Sequence, residues 1–184
     1  DNTVLELFKK HLETLFVLDE AYIDFVEKPW LSFKSLTSEN VIILRSFTKS
    51  LGLAGLRLGY LAAPTKIIRL FDHLKVPWNV NYPAACIGNY IIKNPDIFKN
   101  EIKQYIEGKN LLFNYFKESY FAIPSQTNYF LLKVKDSKLL YQNFFKNKIL
   151  IRECSSFGLK NYVRINARKV HDCEKFLEVF EKIS

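Results

Sequence analysis

Short apolar runs that end abruptly in polar residues mark the first part of the chain. Runs of this kind predict buried strands at residues 15–18, 41–44 and 56–64, the last one stopped by Pro64. Amphipathic spacing predicts helices over residues 4–13, 65–75 and 83–117, with a break in the last near Asn94 and Pro95. Strands that alternate with helices are typical of an α/β fold with a mostly parallel sheet, in which ligands bind beyond the strand ends.

The hydrophobic pattern changes after residue 117. It predicts strands over 128–134, 149–152 and 162–166, and helices over 137–146 and 170–183. These elements predict a compact α+β domain after a long helix. The expected division is a first domain at residues 1–85, a connecting helix at 86–117 and a small C-terminal domain at 118–184.

Composition limits the classes of protein that the chain can represent. Its 184 residues are 48% hydrophobic and 15% aromatic, enough for a sizeable core, which excludes a disordered chain. The apolar runs stay well below the ~20 residues of a membrane span, and no signal-peptide pattern begins the sequence. We expect a cytoplasmic protein with no membrane partner. The cysteines and histidines are scattered without metal-ligand spacing, so no metal site is expected.

The net charge of +8 comes from 27 basic and 19 acidic residues. A basic excess can indicate nucleic-acid binding. Here the lysines are spread along the chain, mostly on polar faces of predicted helices beside acidic residues, which is typical of a solvated surface. An anionic small molecule would suit the same excess, and we expect no nucleic-acid partner.

The most informative stretch follows the second predicted strand and centres on Lys49. Hydroxyls at Ser46 and Thr48 precede the lysine, Arg57 follows it by eight residues, and three of the chain's six glycines lie between residues 52 and 59. Hydroxyls, an arginine and the N–H groups of a glycine-rich turn form the kind of cradle that a phosphate prefers. The spacing matches neither the dinucleotide nor the P-loop pattern. A lysine beside a phosphate cradle predicts a Schiff base to a phosphorylated aldehyde.

Two residues at the end of the first predicted strand add what such a cofactor needs. Asp19 can pair with a pyridinium nitrogen, and Tyr22 can hydrogen-bond the phenolate oxygen of the ring. Each residue type is common at strand ends when taken singly. Together with Lys49 and Arg57, in this order, they favour a pyridoxal-phosphate site.

The chain resembles the fold-type-I pyridoxal phosphate (PLP) enzymes of the class I/II aminotransferase group, in the branch of histidinol-phosphate aminotransferase and threonine-phosphate decarboxylase. The matching stretches are residues 17–22, 46–59, 77–81 and 151–168. The resemblance implies an α/β fold, with part of a PLP-binding large domain before a small α+β domain. It also implies that Lys49 forms the Schiff base, Asp19 partners the pyridinium nitrogen and Tyr22 contacts the phenolate oxygen. Ser46 and Arg57 are the implied phosphate ligands.

Only the second half of such an enzyme is matched. Members of the family carry, before this region, a helix start that cups the phosphate, an aromatic residue that stacks on the cofactor and an asparagine-containing loop. The chain contains none of them. We therefore expect either that the protein continues beyond the N-terminus of this chain, or that the chain is a fragment that binds the cofactor poorly alone.

Polar side chains of the C-terminal domain are the candidates for substrate binding. Arg152, Arg164 and Arg168 could converge on one dianionic substrate, because a guanidinium binds carboxylate or phosphate with two parallel hydrogen bonds. The resemblance implies that Arg152 and Arg164 bind the phosphate or carboxylate of the substrate. Asn128 is similar to a pocket asparagine of the family, and a structural cap is the other role open to it. A homodimer is implied by the resemblance alone.

Two reactions fit these residues. The stretches 77–81 and 151–168 look closer to threonine-phosphate decarboxylase, so we predict decarboxylation of a small phosphorylated amino acid such as O-phosphothreonine or O-phosphoserine. The alternative is amino transfer of the histidinol-phosphate type, with 2-oxoglutarate and glutamate. Both reactions begin when the amino acid displaces Lys49, and the bond held perpendicular to the ring decides between them. A second alternative is a non-catalytic binding fragment.

Overall fold

The computed structural model describes residues 2–30 and 32–183 as two compact units. The first unit is Asp1–Phe98 and the second is Lys99–Ser184. The helical pattern over 83–117 is interrupted between them, since one helix ends at Lys93 and the next begins at Lys99. Among the described residues, none of the helices combines the length and the apolar character that spanning a bilayer requires.

The first unit contains a three-stranded sheet with the order β1-β2-β3. Its helices are α1 (Asn2–Lys10), α2 (Phe47–Ser50), α3 (Thr65–Leu74) and α4 (Tyr82–Lys93), and its strands are β1 (Phe16–Asp19), β2 (Val41–Ser46) and β3 (Gly59–Ala62). Short 3₁₀ helices lie at Ile23–Phe25, Ser32–Thr37 and Ala54–Leu56.

The sheet of the first unit is mixed. β1 and β2 are parallel, as expected, whereas β3 runs antiparallel to β2. The connection between β2 and β3 contains only the four-residue α2 and one 3₁₀ helix. A parallel crossover usually needs a full helix, so this short connection returns the chain in the opposite direction. The expectation of a mostly parallel sheet therefore applies only to β1 and β2.

A small apolar core covers one face of this sheet. Phe8 of α1 is buried with Val41 and Ile43 of β2, and Phe16 and Leu18 of β1 pack against them. Phe16 pairs with Val41 and Leu18 pairs with Ile43, so these four strand residues share a face. Alternate residues of both strands consequently point to the opposite face.

The second unit contains a four-stranded sheet with the order β4-β5-β7-β6, in which all the pairings are antiparallel. Its helices are α5 (Lys99–Lys117), α6 (Ser137–Lys146) and α7 (Val170–Ile183), and its strands are β4 (Ala122–Ile123), β5 (Tyr129–Lys133), β6 (Arg152–Glu153) and β7 (Tyr162–Asn166). A 3₁₀ helix lies at Ser155–Phe157.

Aromatic rings fill the core of the second unit. Phe116 of α5 is fully buried, and its ring centroid lies 4.8 Å from that of Phe180 and 6.4 Å from that of Phe176, both on α7. The ring of Phe130 on β5 lies 6.1 Å away. Rings of this size supply most of the apolar surface that a small unit can bury, and here they hold the two long helices to the sheet.

Most of the predicted element positions are confirmed. The bounds of α6, β7 and α7 coincide with the predicted segments 137–146, 162–166 and 170–183. The strand predicted at 56–64 is shorter, as β3, and the one predicted at 149–152 is shorter and shifted, as β6, whereas the two-residue β4 was not predicted. These differences arise because short strands depend on the partner that pairs with them rather than on their own sequence.

Candidate active site

The ends of β1 and β2 bring two predicted cofactor residues to one edge of the sheet. Asp19 is the last residue of β1 and pairs with Leu44, and Ser46 is the last residue of β2. Because side chains alternate along a strand, Asp19, Leu44 and Ser46 share the face opposite the apolar core. The Asp19 carboxylate accepts a hydrogen bond from the backbone N–H of Ala21 at 3.0 Å, which holds the turn after β1.

Lys49 lies on α2, which begins directly after Ser46. The Ser46 hydroxyl caps this helix by accepting a hydrogen bond from the backbone N–H of Thr48 at 3.2 Å. The Lys49 amine is exposed, and its Nζ lies 5.6 Å from the centroid of the Tyr22 ring. The structure thus brings together two residues that lie 27 positions apart in the chain.

A buried serine anchors this short helix. Ser50 is 2% exposed, and its hydroxyl donates a hydrogen bond to the carboxylate of Asp24. Asp24 belongs to the 3₁₀ helix that follows Tyr22, so the bond ties α2 to the loop that carries Tyr22. The sequence analysis missed this pair, since a serine and an aspartate so far apart carry no local signal.

Arg57 has an unusual backbone conformation. Its φ of 55° and ψ of 43° lie in the left-handed region, which costs a non-glycine residue roughly 1–2 kcal/mol. Its guanidinium is exposed and donates a hydrogen bond to the backbone oxygen of Ala54 at 3.0 Å. Strained backbone conformations cluster at active sites, although Trp78, Lys148 and Asn161 of this chain also have a positive φ.

The strand after Arg57 depends on a glycine. Gly59 pairs with Ser46, and a Cβ at position 59 would lie 2.8 Å from the backbone oxygen of Arg45. The clustered glycines were expected to let the backbone approach a bound group. At Gly59 the close approach is to the neighbouring strand, and it keeps the segment that follows Arg57 beside Ser46.

Two predicted substrate residues lie opposite each other in the second unit. Arg152 on β6 pairs with Arg164 on β7. The guanidinium of Arg152 lies 4.8 Å from the Phe157 ring centroid, and that of Arg164 lies 5.0 Å from the Tyr129 ring centroid. Stacking on a ring leaves the in-plane N–H donors of a guanidinium able to bind an anion. The register places the two residues side by side on one face of the sheet, whereas their guanidinium groups stack on rings of different segments.

Unpaired polar atoms point to a ligand at the same place. In the described part of the chain, three buried side-chain atoms have no hydrogen-bond partner, and two of them are Nε of Arg164 and Oδ1 of Asn128. Asn128 is 9% exposed and directly precedes Tyr129, the residue on which Arg164 stacks. Buried polar atoms are nearly always paired, so an unpaired donor and an unpaired acceptor favour a binding role for both residues.

Arg168 has different surroundings. It follows the end of β7, and its Nε lies 3.3 Å from the Asp172 carboxylate in an exposed ion pair. It lines a cavity of about 470 Å³ that neither Arg152 nor Arg164 lines. The structure therefore pairs two of the three predicted arginines across neighbouring strands, whereas the side chain of the third is paired with Asp172.

Glu153 is the acidic neighbour of Arg152. Its pKa lies below the ordinary value of 4.5, first because the Ser155 hydroxyl donates a hydrogen bond to it and also because the Ser137 hydroxyl does. The distances from the carboxylate oxygens are 2.6 Å to Ser155 Oγ and 2.8 Å to Ser137 Oγ. Because Ser137 begins α6, Glu153 links β6 to that helix.

Comparisons with known proteins decide the family. The family model described as aminotransferase class I and II matches residues 2–183. The chain belongs to this family. The chloroplastic histidinol-phosphate aminotransferase of Nicotiana tabacum is 35% identical over 187 residues, covering 97% of this chain and 44% of the relative. The histidinol-phosphate aminotransferase of Methanocaldococcus jannaschii is 30% identical, covering 100% of this chain and 51% of the relative.

A solved structure gives the same result for the fold of this aminotransferase-family chain. The L-threonine-O-3-phosphate decarboxylase from Porphyromonas gingivalis matches with a TM-score of 0.86 and 27% identity, over 97% of this chain and 57% of that one. The family and the α/β fold expected from the sequence are therefore confirmed. Its members are PLP-dependent enzymes, as the resemblance implied. The chain spans about half the length of the curated relatives it matches, and the roles of individual residues stay predictions.

Proposed function

We propose that this protein is a PLP-dependent aminotransferase of the histidinol-phosphate type, which acts on a small phosphorylated compound that carries an amino group. The observation that carries the proposal is the position of Lys49, whose Nζ lies 5.6 Å from the Tyr22 ring centroid, beyond the strand ends formed by Asp19 and Ser46. Membership of the aminotransferase family supports the same chemistry.

The side chains at this edge fit PLP by their chemistry. Asp19 offers a carboxylate for the ring nitrogen, Tyr22 a phenol for the ring oxygen, and Lys49 an amine for the aldehyde. Ser46 and Arg57 offer a hydroxyl and a guanidinium for the phosphate. All five residues belong to the first unit, on segments that the β1-β2-β3 sheet holds in register.

Each of these groups has a definite task. Bound PLP supplies an electron sink for the negative charge that develops at the substrate Cα. Lys49 would hold the cofactor through Nζ and, once free, its amine would serve as the base that takes the proton from the substrate Cα and as the acid that returns it. Asp19 would pair with the protonated ring nitrogen. Arg152 and Arg164 would bind the anionic group of the substrate.

The relatives favour amino transfer over the decarboxylation that the sequence pattern favoured. Two relatives at 35% and 30% identity are named histidinol-phosphate aminotransferases. Decarboxylation is the second candidate, because a structure with a TM-score of 0.86 is named a threonine-phosphate decarboxylase. The two reactions share the cofactor residues and differ in the bond that the substrate residues orient.

The cofactor site is tested by covalent trapping. We expect PLP to give an absorption band with the purified protein, and borohydride reduction to place the cofactor mass on Lys49. Lys49→Ala should abolish the trapped product, whereas Lys66→Ala, a change at an exposed lysine of the same unit, should leave it intact. A wild-type protein that binds no PLP would support the non-catalytic alternative instead.

The reaction is tested by its products. We expect glutamate to form only when histidinol phosphate and the acceptor 2-oxoglutarate are both present. Release of CO2 from O-phosphothreonine without an acceptor would favour the decarboxylase. Because both assays need the same cofactor, the Lys49→Ala variant is the blank for each.

We also propose that the protein is a homodimer. The stretch from the end of α3 to the start of α4 supports this, because it exposes large apolar side chains: Leu74 is 77% exposed, Trp78 is 95% exposed and Tyr82 is 81% exposed. Apolar groups concentrated in one exposed stretch are typical of an interaction surface.

A further inference from the structure

Glu20 is a buried acid directly after Asp19. It is 7% exposed, and its carboxylate accepts hydrogen bonds from Trp30 Nε1 at 3.0 Å and from the Ser32 hydroxyl at 2.9 Å. Arg45 completes the set, with both Nε and a terminal nitrogen 3.0 Å from the same carboxylate oxygen. None of these contacts involves a residue assigned to the cofactor.

The ion pair between Glu20 and Arg45 joins the ends of β1 and β2, the two strands that lead to the proposed cofactor site. Glu20 extends the ladder one residue past β1, because its backbone N–H donates to the backbone oxygen of Leu44 at 2.8 Å. Arg45 directly precedes Ser46 on β2. Since side chains alternate, Glu20 and Arg45 lie on the face opposite Asp19 and Ser46. The ion pair therefore lies behind the cofactor residues, one position away from each.

Stability alone is a weak reason for such a pair. A buried ion pair is often no more stabilising than apolar residues of the same volume, because removing both charges from water is costly. The Arg45 guanidinium nevertheless restrains the carboxylate, because Nε donates a charge-assisted hydrogen bond to one carboxylate oxygen and a terminal nitrogen lies 3.0 Å from the same oxygen. The guanidinium is restrained in turn by the Phe33 ring, whose centroid lies 4.6 Å away, and its side chain is only 22% exposed.

We infer that Glu20 and Arg45 are positioning residues that set the separation of the Asp19 and Ser46 strand ends, and through them the approach of Lys49 to Tyr22. Ser46 caps the short helix that carries Lys49, and the turn after Asp19 leads to Tyr22. A shift of either strand end would therefore move the amine relative to the phenol. The inference rests on the proposed PLP site.

The experiment compares PLP binding in matched variants of the purified protein. Glu20→Gln removes the charge and one acceptor site of the pair. We expect it to weaken PLP binding about ten- to a hundredfold, the range typical for partners that orient binding groups. Without cofactor, amide hydrogen exchange in the peptides that contain Asp19 and Ser46 should become faster. The control is Glu39→Gln, which breaks the exposed pair with Lys66, and it should leave PLP affinity within about twofold.

A second control separates positioning from stability. Val41→Ala removes buried apolar volume at the other end of β2, so it should lower the denaturation midpoint and leave the PLP affinity of the folded protein unchanged. Arg45→Lys keeps the charge and loses the hydrogen bond that Nε donates to Glu20. It should weaken PLP binding as Glu20→Gln does, and Glu20→Asp, which retains the carboxylate, should recover part of the affinity. Arg45→Lys and Glu20→Asp replace Glu20→Gln if that variant does not fold.

The outcomes distinguish this inference from the proposed function. If the wild-type protein binds no PLP, both are wrong. If the wild-type protein binds PLP on Lys49 and a folded variant of the pair binds it equally well, with unchanged exchange at the strand ends, only the positioning role is wrong. Equal losses of PLP affinity in Val41→Ala and in Glu20→Gln would also overturn it, because a general loss of stability would then explain the effect.

Discussion

Arg57 has a backbone conformation that is uncommon for its residue type. Most residues adopt backbone angles that suit their side chains, but Arg57 has a φ of 55°, where glycine would be favoured. Among the described residues, its side chain makes one hydrogen bond, to the backbone oxygen of the neighbouring Ala54. Because Gly59, two residues further on, pairs with Ser46, a role of Arg57 at the proposed phosphate site can be tested by mutation.

Replacing Arg57 by glycine should separate binding from stability. Arg57→Gly relieves the left-handed strain but adds backbone freedom to the unfolded chain, so the free energy of unfolding should change by less than about 1 kcal/mol. PLP affinity should fall about tenfold or more, because a charge-assisted hydrogen bond to the phosphate is lost. Urea unfolding and PLP titration measure the two effects.

A matched change shows whether the strain alone matters. Asn161 of the second unit has a φ of 63°, so Asn161→Gly relieves the same kind of strain without touching the proposed phosphate site. Its PLP affinity should equal that of the wild-type protein. An Arg57→Gly variant with unchanged affinity would remove Arg57 from the set of phosphate ligands.

At the scale of elements, the contact between α5 and α7 depends on a glycine, Gly108. A Cβ on Gly108 of α5 would meet the backbone oxygen of Arg168, and it would lie 2.9 Å from Cys173 Sγ. Arg168 lies two residues before α7, and Cys173 is a buried residue in the first turn of that helix. The helices pack closely at this point because glycine leaves room for the backbone of the other segment.

We predict that Gly108→Ala destabilises the second unit although alanine favours helices. The clash with backbone should cost about 1–3 kcal/mol, which exceeds the roughly 1 kcal/mol of helix propensity gained. Urea denaturation followed by circular dichroism measures the change. Asn114→Ala, at an exposed position of the same helix, should be neutral or slightly stabilising. An increase in stability for Gly108→Ala would contradict the packing seen here.

Glu153, which links β6 to α6, should make the free energy of unfolding depend on pH. The pKa of Glu153 is lowered from 4.5 in the folded protein, so its hydrogen bonds to Ser155 and Ser137 stabilise the fold above pH 4.5. This contribution is lost as the pH falls below 4.5 and through the lower folded pKa. The unfolding free energy of Glu153→Gln should therefore fall less steeply below pH 4.5 than that of the wild type. Glu178→Gln, an exposed change on α7, should keep the wild-type slope.

At the scale of the whole molecule, the exposed apolar segment after α3 bears on assembly. Trp78 is 95% exposed and has a φ of 61°, so the chain holds this ring outward in a conformation that is uncommon for tryptophan. Val76 beside it is 65% exposed. A surface of this kind is stabilised when a second copy covers it.

Sedimentation equilibrium tests the proposed homodimer. We expect the wild-type protein to have twice its chain mass and Trp78→Ser to dissociate at least about tenfold more readily, as is typical of a central aromatic contact. Leu150→Ser changes a residue that is 75% exposed in the second unit, and it should leave the mass unchanged. A monomeric wild-type protein, or a Trp78→Ser variant that dimerises normally, would contradict the proposal.

The sequence by itself determined the family, the α/β fold and the candidates for the site. Strand ends could be located because the apolar runs 15–18 and 41–44 are followed by Asp19 and by Arg45, and chemistry could be assigned because Lys49 and Arg57 occur in a spacing typical of PLP enzymes. These signals are local in the chain, which is why they can be seen without a structure. The longest helices were located for the same reason, since their periodicity is a local property.

Only the tertiary structure decided which side chains meet. It placed Lys49 near Tyr22, paired Glu20 with Arg45 behind the strand ends, and paired Arg168 with Asp172. The reversed direction of β3 was decided in the same way. These features depend on strand register and on contacts between distant parts of the chain, and no local pattern specifies either of them.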